Sequence, residues 1–273
     1  MMIKKFIRKL IPGRMLGSVL KIFFRAIFFL SVLLNYNFSN VNDSEIYSPG
    51  MRGKEKPQVI KTNIKGKGAK LFINFTKGKA HLNPLFAIWY EDTSGNFIQT
   101  LYVADVIATS IFKYGEKVEG DWRPAEVRKP QALPYWGHKR GIRTENGFYL
   151  PTADNPVPDA YSGATPNGNF LLKTRANKKI PTVIKVLLEI NQPLDWNEYY
   201  TLTKYPDDPY YKESQQPALV YSITVDLSKK NKSYTMEVIG HSHYSGKDGK
   251  LYKDLSKITS ALEIIESVII KVK

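Results

Sequence analysis

The chain has no cysteine among its 273 residues. That excludes disulfides, thiolate metal sites, a cysteine nucleophile and a lipid anchor carried on cysteine. Histidine is scarce, with four in all, so imidazole chemistry has few places to sit. The sequence contains no phosphate-binding loop, no dinucleotide fingerprint and no nucleophile elbow. Helical periodicity is also scarce: "LSKITSALEII" is the only respectable stretch, and "VIATSIFKYG" reads either way. Acidic residues are missing from 1–40, which hold seven basic ones. The apolar run that follows Arg25, "AIFFLSVLL", is nine residues long, well short of the roughly 20 that span a bilayer.

What is present points to an exported, packed protein. Apolar content of 42% is enough for a core. A basic start followed by a short apolar run is the layout of an export signal, so 1–40 reads as a signal peptide or a membrane anchor. The mature part is then periplasmic, or anchored and facing the periplasm. The formal charge of +15 falls to +8 once 1–40 is set aside, leaving 33 basic against 25 acidic residues. That remainder forms no single recognition element along the chain, and nucleic acid is not an expected partner. Residues 41–68, with "SPGMRGKEKP" and "KGKGAK", read as a flexible linker. The linker is either attracted to anionic lipid or simply solvated.

From residue 69 onward the pattern is β. "KLFINFT", "PLFAIWYED", "NFIQTLYVAD", "NFLLKTR", "TVIKVLLEINQ", "ALVYSITVDL", "YTMEVIG" and "ESVIIKVK" are about eight strand-like runs. Asp92, Ser94 and Gly95 in "DTSGN" give the strongest hairpin signal. The expectation is a mainly β chain: a single antiparallel β-sandwich, immunoglobulin-like, over 69–273. Two connections are long for such a fold, 119–150 and 191–216. Together they hold three of the four tryptophans and many tyrosines, rings suited to stacking on planar or sugar ligands.

"FAIWYEDTSGNFIQTLYV", "ALPYWGHKRG", "DAYSGATPNGNF", "LLEINQPLDWNEYY" and "IGHSHYSGKDGKLYKDLS", in that order, resemble the bacterial domain of unknown function family 2271, predicted periplasmic proteins. The resemblance covers roughly 70–273. It implies export and a β-rich domain, and it brings no activity.

A shorter resemblance sits inside it. Asp159, Ser162, Gly163, Ala164 and Thr165 resemble the acceptor motif of covalently flavinylated extracytoplasmic proteins. The resemblance implies that a flavin transferase moves FMN from FAD onto the Thr165 hydroxyl, and that membrane redox proteins are partners. Small side chains suit a segment that must enter another enzyme's active site. The competing reading is a plain turn, in which Gly163 and Gly168 supply positive φ.

His241 and His243 alternate, so on a strand both rings share a face. With His138 or Asp248 as a third ligand they form a candidate Zn or Cu site. Asp195 and Glu198 flank Trp196 as a candidate acid–base pair, though such residues more often anchor a loop. No residue stands out as catalytic. Two classes of function therefore remain. One is a non-enzymatic binding module, as an electron carrier if FMN sits on Thr165. The other is a metal- or carboxylate-dependent enzyme or metal-binding protein using the histidine region and the aromatic loops.

Overall fold

A computed structural model describes residues 56–158 and 161–273. The expected signal or anchor, most of the expected linker, and Asp159 lie outside the described residues. Strand accounts for 39% and helix for 10%, so the chain is mainly β, in sheets that do not close into a barrel. Seven of the eight strand-like runs each form one strand, and the eighth divides between two.

The first sheet has the order β1 (Gln58–Lys61), β8 (Phe170–Arg175), β2 (Lys70–Lys77), β13 (Ile265–Val272), β11 (Ser233–Thr235). The second runs β12 (Glu237–His241), β10 (Leu219–Asp226), β9 (Val183–Asn191), β3 (Leu85–Glu91), β4 (Phe97–Ala104), β7 (Ser162–Gly163). Alternation builds the core between them. Leu71, Ile73 and Phe75 of β2 are fully buried together with Phe86, Ile88 and Tyr90 of β3. Phe170 stacks on Phe75 at 4.6 Å and on Phe86 at 5.4 Å, joining the two sheets through three rings.

The second sheet is buried on its other face as well. Ala87, Trp89, Leu187 and Val220 form a second core under α1 (Asp105–Thr109), α2 (Pro134–Arg140), Leu133 and Val157. A strand covered on both faces has no polar side, which is why "LFAIWYE" reads as an unbroken run. "VIATSIFKYG" resolves into α1 followed by β5 (Ile111–Val118), which pairs with β6 (Asp121–Glu126) as an exposed two-stranded arm. "LSKITSALEII" forms only a 3-10 turn at Ser260–Glu263.

Three further features depart from the sequence reading. The pairing is not wholly antiparallel, because β1–β8 and β4–β7 are parallel. The end of the expected linker is part of the fold: β1 lies within it, and the buried Thr62 donates to the Leu101 carbonyl at 2.8 Å and sits 2.9 Å from Thr174 Oγ1. "YTMEVIG" is not one strand, since β11 pairs with β13 in the first sheet and β12 with β10 in the second, with Met236 buried at the crossing. The "DTSGN" hairpin forms as expected: Asp92 accepts from the Asn96 backbone and side-chain amides at 2.9 and 2.8 Å, and Gly95 takes φ of +90°.

The ring stack at Phe170 generates the first prediction. Phe170→Ala removes the middle ring and leaves a cavity, which costs about 3–5 kcal/mol. The urea midpoint should fall with the slope unchanged; a midpoint within error of wild type would contradict the central role of the stack.

Candidate functional site

The site is organised by a carboxylate in the middle of the second sheet. Glu189 pairs with Ala87 of β3 and Val220 of β10, so it projects from the central strand into the outer core, where it is fully buried. It accepts the backbone N–H groups of Tyr135 at 3.1 Å and Trp136 at 2.7 Å, the open donors of the first turn of α2, and the Ser242 hydroxyl. Burial pushes its carboxyl up to about 7, against the pull of those three donors. A second carboxylate holds the other end of α2. Glu91, also buried, accepts Trp89 Nε1 at 3.0 Å and Lys139 Nζ at 3.3 Å. Trp136 Nε1 donates to Thr100 Oγ1 at 3.2 Å. Both ends of the helix are thereby tied to the sheet.

Held in this way, α2 forms one side of a cleft of about 840 Å3. His138 from α2, Arg143 to Tyr149 from the chain after it, Lys204 to Tyr210 from the second long connection, and Tyr244 to Lys247 line it. Both long connections singled out by the sequence therefore meet here, together with the histidine motif. Tyr205 and Tyr244 stack in parallel at 4.3 Å and 5°. Tyr211 stands edge-on to both and donates to the Thr201 carbonyl at 2.6 Å. Asp208 Oδ1 accepts the N–H groups of Tyr210 and Tyr211, at the start of α3 (Tyr211–Ser214), so this carboxylate is structural. The turn after Tyr244 is wedged in place. Gly246 holds φ of +71°, and a Cβ there would stand 2.1 Å from the Pro130 carbonyl oxygen.

Two of the three expected metal ligands share a neighbour, since the rings of His241 and His243 lie 5.5 and 5.9 Å from that of Tyr252. His138 stacks on Tyr149 at 4.2 Å, with Nδ1 2.8 Å from the Pro134 carbonyl. His241 stacks on Tyr252 at 5.5 Å, with Nδ1 2.7 Å from the Ser242 carbonyl. His243 Nδ1 accepts the Ser245 N–H at 3.2 Å, and its ring lies 4.2 Å from Tyr244. Burial holds the His243 imidazole below its ordinary range, with Lys247 adding to the effect. Asp248 accepts the Tyr252 hydroxyl at 2.9 Å. Among the described residues, no three His, Asp or Glu side chains group so as to hold a metal ion.

In the Thr165 stretch, Ser162 and Gly163 form β7 beside Val103 and Ala104. The Tyr102 hydroxyl lies 2.9 and 2.8 Å from the Gly163 and Ala164 carbonyls. Neither Gly163 nor Gly168 has positive φ, which corrects the turn reading. Gly163 instead sits close against Tyr102, where a Cβ would lie 3.2 Å from the ring. Ala164 is exposed, and Thr165 is half-buried.

Asp195 is buried and accepts the Ser260 hydroxyl, and its backbone carbonyl accepts the Gln216 N–H at 3.0 Å. Asn197 Oδ1 accepts the N–H groups of Tyr199 and Tyr200. The "DWNE" carboxylate thus anchors its loop. Glu189 escaped the sequence reading although it lies within a quoted run: a single acid inside "VLLEIN" was the only signal.

No protein-family model, no curated protein and no solved structure matches this chain.

The raised Glu189 carboxyl sets a pH dependence. The folded chain holds this proton more tightly than the unfolded chain does, whose carboxyl titrates near 4.5. The contribution of Glu189 to stability is therefore fully present below about 4.5, falls as pH rises towards about 7, and is level above that. The span is about 3 kcal/mol. Glu189→Gln should abolish this component, so the difference in unfolding free energy between wild type and variant should shift by that amount between pH 4.5 and pH 8. An identical difference at the two pH values would refute the assignment.

Proposed function

We propose that this chain is an exported, non-enzymatic binding module of the 2271 family kind, built on an immunoglobulin-like β-sandwich, and that it takes a flat-faced polar ligand in the aromatic cleft. One observation carries this reading: two long connections distant in sequence, together with the histidine turn, converge on a single cleft. That cleft holds a parallel-stacked pair of tyrosine rings, with Arg143, Lys204 and Lys247 along its lining. Rings offer stacking faces, and cationic groups and hydroxyls at the rim supply directional hydrogen bonds. This is the pairing that holds a sugar ring or a planar heterocycle. The cleft carboxylate best held in place, Asp208, already accepts two backbone N–H groups, which favours binding over acid–base work.

Screening soluble oligosaccharides and planar heterocycles by saturation-transfer NMR tests this reading. Binders should transfer saturation to the ring protons of Tyr205 and Tyr244. Tyr205→Ala should weaken binding about tenfold, in the range of one lost stacking platform. Binding that is indifferent to Tyr205 and Tyr244 would move the ligand elsewhere.

A second reading concerns Thr165, and the geometry of its stretch favours it. The segment 161–166 lies at the edge of the second sheet, is held there by the two-residue β7, the Tyr102 hydroxyl, the packing of Tyr161 on the outer core and the buried Pro166, and carries an exposed Ala164 beside the candidate acceptor. A hydroxyl beside an exposed residue on an edge segment can be offered to a transferase, forming a phosphodiester to FMN as the FAD pyrophosphate bond breaks and AMP leaves. Co-production with a flavin transferase should raise the intact mass by one FMN less water, and Thr165→Val should abolish the gain without unfolding the protein. An unchanged mass in folded, exported protein would remove this reading and leave the cleft reading intact.

A further inference from the structure

Away from the cleft, two depressions meet at the C-terminal end of β8. The larger, about 690 Å3, is lined by Lys67, Lys70, Arg175, Lys179, Lys230 and Lys273. The smaller, about 290 Å3, adds Lys61 and Lys173 and shares Lys70 and Arg175 with the first. Eight cations and no Asp or Glu line the pair. Neither depression shares a residue with the aromatic cleft. Among the described residues, Lys61, Lys67, Lys70, Arg175 and Lys179 form no ion pair with a carboxylate.

The walls are built into the fold. The Lys67 N–H donates to the Asn177 carbonyl at 3.2 Å, and the Gly68 N–H to the Ala176 carbonyl at 2.9 Å. The two backbones are so close that a Cβ on residue 68 would stand 2.2 Å from the Lys178 carbonyl oxygen. The "KGKGAK" run is therefore a fixed wall, and the loop after β8 is its partner. Three more cations are gathered by one ring. The ammonium groups of Lys70, Lys173 and Lys273 lie 4.9, 5.3 and 5.6 Å from the centre of Phe72. Any two of them are then within about 11 Å, close to one Debye length at 0.1 M salt. Positive charges gathered this closely raise the local attraction for an anion.

We propose that this paired depression binds a compact polyanion carrying two or more phosphate groups. Phosphate concentrates charge on three acceptor oxygens, which suits ammonium groups acting as point donors around one guanidinium fork. A neutral sugar or a single carboxylate would leave most of the five cations that form no ion pair uncompensated. A free oligophosphate and a phosphorylated lipid headgroup share this chemistry.

The test is calorimetric titration of the folded protein with sodium tripolyphosphate at about 0.15 M salt. Binding should weaken as salt rises. Lys67→Gln/Lys179→Gln, which alters two exposed side chains, should lower affinity about tenfold at an unchanged melting temperature. Lys70→Gln/Arg175→Gln, which touches both lobes, should lower it further. Flotation with cardiolipin vesicles, whose headgroup carries two phosphates, separates the sources. Vesicle binding displaced by tripolyphosphate identifies a lipid headgroup, and tripolyphosphate binding without vesicle binding identifies a soluble ligand. Equal affinity of wild type and Lys67→Gln/Lys179→Gln for tripolyphosphate overturns the proposal. So does preference for a single-stranded DNA oligonucleotide over tripolyphosphate.

Discussion

The outer half of this molecule depends on one buried carboxylate. Glu189 stands in the central strand of the six-stranded sheet and receives the first N–H groups of α2 and the hydroxyl of Ser242. Those donors come from two segments about a hundred residues apart, the helix that carries His138 and the turn that leads to Tyr244. One acid therefore sets the distance between two walls of the cleft. Its burial works against the charge that makes the contacts strong, so the same group links cleft geometry to protonation.

Burial of the second sheet on both faces is the condition for this arrangement. Its inner face meets the first sheet through the Phe75, Phe86 and Phe170 stack, while its outer face carries Trp89, Glu91 and Glu189 beneath α2. A sheet with one wet face could present these acids only to water, where they would orient nothing. The layer laid over the outer face turns them into anchors and leaves the long connections to close around the tyrosines.

Charge is distributed as unevenly in space as it is along the chain. The basic residues outside 1–40 look scattered in sequence, at positions 61, 67, 70, 173, 175, 179, 230 and 273, yet they line one paired depression. The strand order explains the meeting: β1 and β2 flank β8, which brings residues 61–70 and 173–179 to one corner. "KGKGAK" looked like a solvated tether because nothing local restrains it. Its restraint is backbone pairing with residues 176–177, more than a hundred positions away.

Strand location was legible in the sequence because apolar alternation and turn residues are local properties. Leu71, Ile73 and Phe75 announce a buried face, and "DTSGN" announces its hairpin through Asp92 and Gly95. The aromatic richness of 119–150 and 191–216 marked the connections that line the cleft. Only tertiary structure decided which rings meet, since Tyr205 and Tyr244 become neighbours through sheet order rather than spacing. It decided that His241 and His243 meet at the Tyr252 ring while His138 stacks on Tyr149, a matter of where their backbones pass. It also chose Glu189 over Asp195 and Glu198 as the organising acid, because burial between a strand and a helix belongs to neighbours that no local pattern names.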